Sequence, residues 1–205
     1  MLQVAPLARA DLALAADVLA RAFRDNPLNR AVIGEDSARR VRANQAGVRA
    51  YLPLALERAH VRAAREQTAL LGVLVATPPW RWPLPPPGPV GLLRLLWGQG
   101  FRVARRWSEV SRELRRHHPG GPHWYLATLG VEPERWSRGA GRALLADFVA
   151  RVDAEQARAY LETDRPELAG FYGSVGFAVR DEIEVLGVPV LLMERPAQGK
   201  ERDAS

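Results

Sequence analysis

The sequence has 205 residues and no cysteine, which excludes disulfides, thiolate metal sites and a cysteine nucleophile together. Hydrophobic residues make up 47% and charged residues 25%, close to soluble globular averages, so one folded domain with room for an elaboration is expected and two full domains are not. The net charge of +6 suits nucleic acid, a membrane surface or an anionic small molecule alike, and because only Lys200 of the 29 basic residues is a lysine, coding bias explains part of it.

The N-terminus has no basic segment followed by an apolar core and a cleavage site, and the longest apolar runs, such as Leu70 to Ala76, are too short to cross a bilayer. A cytoplasmic location without membrane contact is the expectation. Gln3 to Leu7 alternates like a short strand, and from Arg9 the positions Leu12, Ala15, Ala16, Leu19, Ala20 and Phe23 recur at helical spacing until Asp25-Asn26-Pro27 stops them. Asp36-Ser37 caps a second helix through Val41, Val48, Tyr51 and Leu52, with a kink expected at Pro53. Val61 to Arg65 and Thr68 to Ala76 read as a hairpin. Seven prolines between Pro78 and Pro89 remove too many amide donors for a helix or central strand, so that stretch is a loop. Val90 to His118 supports one or two helices with a break at Gly98 or Gly100, ended by Pro119-Gly120-Gly121-Pro122. A strand from His123 to Val131, a helix from about Arg138 to Ala157, a strand from Arg158 to Thr163, a helix from Pro166 to Val175 and strands Phe177 to Val185 and Pro189 to Glu194 complete the chain.

The informative stretch is Leu126 to Leu145: a β-rich run, a turn with Pro133, then Gly139-Ala140-Gly141 opening a helix. The first amides of a helix lack internal partners and the helix dipole adds partial positive charge, so this end suits a phosphate, with Arg138 and Arg142 able to reinforce it. A P-loop would need Lys-Ser/Thr after the second glycine, where Arg142-Ala143 stands; a dinucleotide fingerprint would need a small residue where Leu144 sits and an early place in the chain.

Together with Trp124 to Pro133, Tyr160-Leu161-Glu162-Thr163 and Phe171-Tyr172-Gly173-Ser174-Val175-Gly176-Phe177, the glycine turn resembles the GNAT superfamily of N-acetyltransferases, and within it puromycin N-acetyltransferase and its relatives. The resemblance covers Trp124 to Pro196 firmly and the N-terminal helix loosely. It implies one α/β (α+β) domain whose central, mixed and mostly antiparallel sheet is split by two splayed parallel strands and flanked by helices. Residues 1–77 would supply the N-terminal helices and first strands, 78–122 an insertion, and 123–196 the cofactor-binding half.

The resemblance further implies an acetyl-coenzyme A site. Leu129, Gly130 and Val131 would pair with the pantetheine arm, and Arg138, Gly139, Ala140, Gly141, Arg142 and Ala143 would hold the pyrophosphate. Tyr172 would protonate the departing thiolate, and Glu162 could take the amine's proton, although a salt-bridged strand carboxylate is at least as ordinary a role for it. Trp136 stands where the family's turn carries a polar residue. Direct transfer to the primary amine of a small molecule is expected, with Phe23, Asp25, Asn26 and Trp80 as acceptor-side candidates, no metal, and a monomer or homodimer. The arginines from Arg102 to Arg116 are interleaved with Glu109 and Glu113, so an ion-paired solvated face is favoured over a nucleic-acid contact. A module that binds acyl-coenzyme A without turnover, or bridges to nucleic acid, stands as the alternative.

Overall fold

In the computed structural model, which describes residues 1–198, the strands β1 (Leu2–Pro6), β2 (His60–Glu66), β3 (Ala69–Thr77), β4 (Trp124–Val131), β5 (Ala159–Thr163), β6 (Ala178–Val185) and β7 (Val188–Arg195) form one sheet ordered β1-β2-β3-β4-β5-β7-β6. The helices are α1 (Leu12–Ala22), α2 (Pro27–Ile33), α3 (Ser37–Arg58), α4 (Pro89–Gln99), α5 (Phe101–His117), α6 (Ala140–Ala154) and α7 (Ala169–Gly173). Every strand pair is antiparallel except β4–β5, which is parallel.

The period-two pattern of β3 explains the layering, because both faces of this strand are covered. Leu74 and Ala76 join Leu144, Leu145 and Phe148 of α6 in one core. Val73 and Val75 face the other way and pack with Val18 and Leu19 of α1 and Leu52 and Ala55 of α3. A third core beneath β5, β7 and β6 joins Tyr160, Val190 and Leu192 to Val32 and Ile33 of α2 and Val103 and Val110 of α5. Each fully buried Leu or Phe contributes about 1.5–3 kcal/mol relative to exposure.

Several expectations needed correction. Pro27 does not merely stop α1: it occupies the first turn of α2, where its missing amide costs nothing. Two elements stand as expected: the helix capped at Asp36 contains Pro53 and runs to Arg58, and β2 and β3 form the hairpin, its turn placing Gln67 at φ 54° where a glycine would be usual. The helix expected from Arg138 begins at Ala140, because Pro133–Arg138 forms a 3-10 turn and Gly139 takes the left-handed φ of 76° between them. The helix expected from Pro166 is a 3-10 turn at Pro166–Leu168 followed by the short α7. No helix among the described residues is long and apolar enough to cross a membrane.

Candidate active site between diverging strands

β4 and β5 pair only at Trp124 with Ala159 and Tyr125 with Tyr160, after which they separate. A register shift between β3 and β4, beside Val75 and Ala76, accompanies that divergence, as an irregularity that raises local twist would. Beyond Tyr125 the β5-facing edge of β4 is therefore open backbone, and a cavity of about 580 Å³ occupies the gap. Gly130 is required here by packing: a Cβ on it would come within 2.6 Å of Leu19 Cδ2, so glycine lets α1 lie against β4. Arg21 of α1 grips the Glu132 carboxylate, with Nη2 to Oε2 at 2.7 Å and Nε to Oε1 at 2.9 Å, and fixes the same approach.

Leu129, Gly130, Val131, Gly139, Gly141, Arg142, Glu162, Tyr172, Phe23 and Asn26 all line this cavity. At the α6 end of the cavity, the amides of Ala140, Gly141 and Arg142 stand in the first turn of the helix, where no preceding helical carbonyl can reach them. Ala143 is different, since its amide donates to Gly139 O at 3.0 Å and is spent within the helix. The Ala140 side chain is buried in the core, so only its backbone can serve a ligand. Arg138 pairs with Glu66 of β2 and lies off the cavity, which leaves Arg142 as the lining cation of this turn.

At the other end, Asp25 does not line the cavity: it pairs with Arg24 and with the buried Arg40, which also holds the Arg24 and Gly34 carbonyls, so Asp25 shapes the α1–α2 loop. Arg24 beside it holds the Asp25 carboxyl below its ordinary range. Asn26 Nδ2 and the Leu28 amide donate to Asp164 at 3.2 and 2.8 Å, tying that loop to the end of β5. Trp80 is 79% exposed and away from the cavity, because the proline-rich loop turns Trp82 inward instead.

Tyr172 lies within the core cluster and reaches the cavity. Burial, then the nearby Asp164, pushes its hydroxyl up to about 12, so it carries its proton throughout the neutral range. Glu162 accepts from Tyr125 Oη at 2.6 Å, and its Oε1 lies 3.6 Å from His118 Nδ1. His118 had no sequence signal, because the residue that gives it meaning is 44 positions away on another element. Trp136, recognised only as a departure from the family turn, donates from Nε1 to Val131 O at 3.0 Å and lies beneath the Arg165 guanidinium. One of the expected cofactor-pairing carbonyls therefore already carries a hydrogen bond.

Two arginines of α5 pair as expected, Arg105 with Glu109 and Arg116 with Glu113. Among the described residues, no group of three or more His, Cys, Asp or Glu side chains is arranged to hold a metal ion.

The model of the acetyltransferase (GNAT) family matches residues 35–177. Among solved structures, the histone acetyltransferase HPA2 and related acetyltransferase from Corynebacterium glutamicum superposes with a TM-score of 0.71 at 25% identity, over 98% of each chain. The PaiA N-acetyltransferase from Thermoplasma acidophilum, solved with coenzyme A, gives 0.60 at 14% identity over 96% of this chain and 99% of that one. The ribosomal-protein-S18-alanine N-acetyltransferase from Escherichia coli gives 0.57 at 14% identity over 100% and 99%.

Proposed function

The chain belongs to the acetyltransferase (GNAT) family, and from that premise we propose that it moves acetyl from acetyl-coenzyme A directly to the primary amine of a small molecule. The observation that carries this reading is the cavity lined together by Gly141 and Arg142 at the start of α6, by the open edge of β4 and by Tyr172.

The cofactor supplies an acetyl group activated as a thioester. Ala140, Gly141 and Arg142 would hold its diphosphate through backbone N–H groups and the helix dipole, and Leu129 and Val131 its amide-bearing arm. Gly139 admits that approach, since nothing stands within 4 Å of where its Cβ would be. Tyr172, kept protonated by burial, donates its proton to the departing sulfur. On the acceptor side, Phe23 and Asn26 border the amine's path, and Glu162 takes the proton the amine must lose. Residues 78–122, an elaboration on the family core, reach that side only indirectly, through Trp82 stacked on His118 behind Glu162.

A second reading is acyl-coenzyme A binding without turnover; Trp136, which departs from the family's turn and donates from Nε1 to Val131 O, marks this chain as an atypical member but weakens cofactor pairing rather than turnover. Thermal shift with acetyl-coenzyme A, followed by thiol release over a panel of primary amines, separates the two. Stabilisation with amine-dependent release supports transfer; stabilisation without release for any amine overturns it in favour of the binding module.

A further inference from the structure

In the wall of the cavity, Glu162 is the end of a chain of polar groups whose protons can be assigned from the acceptors they face. Gly121 O lies 2.9 Å from His123 Nδ1, and a carbonyl only accepts, so Nδ1 of His123 carries hydrogen. Burial depresses the proton affinity of His123, which leaves its ring neutral and its Nε2 a bare lone pair. His118 Nε2 lies 2.9 Å from that lone pair and must therefore donate to it. A neutral His118 then turns a bare Nδ1 towards Glu162 Oε1, 3.6 Å away, and among the described residues Nδ1 has no hydrogen-bond partner. Both side chains are nearly sealed, at 2% and 7% exposure. The second oxygen of Glu162 is occupied by the Tyr125 hydroxyl. Two facing acceptors in a desolvated place are complementary only when one proton stands between them.

We propose that His118 and Glu162 act as one base: the facing acceptors hold no proton before transfer, and the one proton taken from the acceptor ammonium is then shared between Glu162 Oε1 and His118 Nδ1 rather than held by the carboxylate alone. This rests on the acetyl-transfer reading. The N–H bond of the ammonium breaks, and an O–H bond on Glu162 or an N–H bond on His118 Nδ1 forms in its place, with no change in electron count. His118 is a positioning residue that acts through Glu162, which lines the cavity.

The surroundings suit a ring that gains charge. Trp82 stacks on His118 with centroids 3.4 Å apart and planes 8° off parallel, and an aromatic face favours an imidazolium. Tyr125 and Tyr160 meet the ring edge-on at 5.0 and 4.9 Å, and burial raises both phenols, so neither competes for the shared proton. Three arginines surround this cluster: Arg115 over Trp82, Arg180 over Tyr160, and Arg158 near His123, with the Glu194 carboxylate opposing them.

Two measurements decide the matter. In nitrogen-15 spectra of the histidine-labelled wild-type protein, His123 should hold hydrogen on Nδ1 throughout, while His118 holds it on Nε2 and gains a second on Nδ1 as pH falls. A His118 ring with its hydrogen fixed on Nδ1 and Nε2 bare overturns the proposal without reference to any activity. In the pH profile of kcat/KM for the amine, His118→Gln should move the acid limb at least about one unit towards acid and lower kcat by roughly tenfold or more, with KM for acetyl-coenzyme A unchanged. An acid limb at the same pH in both proteins overturns it. If wild type transfers acetyl to no amine, the activity reading fails by itself, and the spectra still decide the shared proton.

Discussion

The Tyr125 hydroxyl donates to Glu162 Oε2 at 2.6 Å, so the last paired residue of β4 holds the side chain that β5 presents just past the point of divergence. The divergence that opens the cavity thus leaves one polar bridge at its root, and that bridge orients the Glu162 carboxylate in the cavity wall. Tyr125 is driven well above its ordinary proton affinity by burial, then by Glu162, so the bridge persists across the working pH range.

Removing it in Tyr125→Phe should lower kcat/KM for the amine while leaving KM for acetyl-coenzyme A unchanged. A hydrogen bond to a charged group is worth about 1.5–3 kcal/mol, so a loss of roughly tenfold or more is expected in steady-state assays on both substrates.

Tyr172→Phe removes the proposed acid without emptying its packing site. We expect kcat to fall about a hundredfold, with little change in melting temperature, measured by thiol release and calorimetry. Because burial holds the Tyr172 hydroxyl near 12 and an acid must be protonated to act, wild type should show no basic downturn from this group below about pH 10.

The reach of the sequence is clearest around these two tyrosines. Gly139, Gly141 and the Phe171–Phe177 stretch were legible because strand, glycine turn, helix and the residues lining the cleft are written within local windows. Pro27 was half legible: its lack of an amide marks an end and equally marks a first turn, and only the packing of Val32 and Ile33 against β7 chooses. Asp25 and Arg138 looked like site residues because they carry charge beside the site, and their partners Arg40 and Glu66 lie 15 and 72 positions away. Trp80 and Trp82 are equivalent in sequence, two indoles among prolines, and the turn of the loop puts only Trp82 on His118. His118 and His123 were illegible as a pair with Glu162, since no local spacing links the segment between α5 and β4 to β5.

Gly130→Ala tests the close approach of α1 to β4. With Leu19 Cδ2 at 2.6 Å and Ala22 Cβ at 3.1 Å from the new methyl, the helix must shift, and a loss of about 1–3 kcal/mol in chemical denaturation is expected, together with weaker coenzyme A binding.

His60 is held below its ordinary value of 6.5 by burial and then by the Arg62 charge, against the pull of Asp147. A folded state that takes up the proton less readily than the unfolded chain is fully stable above the ordinary value and loses stability as pH falls below it. Melting temperature should therefore drop between about pH 7.5 and about pH 5.5, and His60→Gln should flatten that drop in calorimetric scans. His123, depressed in the same sense by burial, should preserve part of the slope.

The most direct measurement is a crystal structure grown at saturating coenzyme A. The diphosphate should lie within about 3 Å of the Ala140, Gly141 and Arg142 amides, with the thiol end reaching Tyr172. A diphosphate bound elsewhere, or those three amides turned away to protein partners while the cofactor is present, would contradict the account.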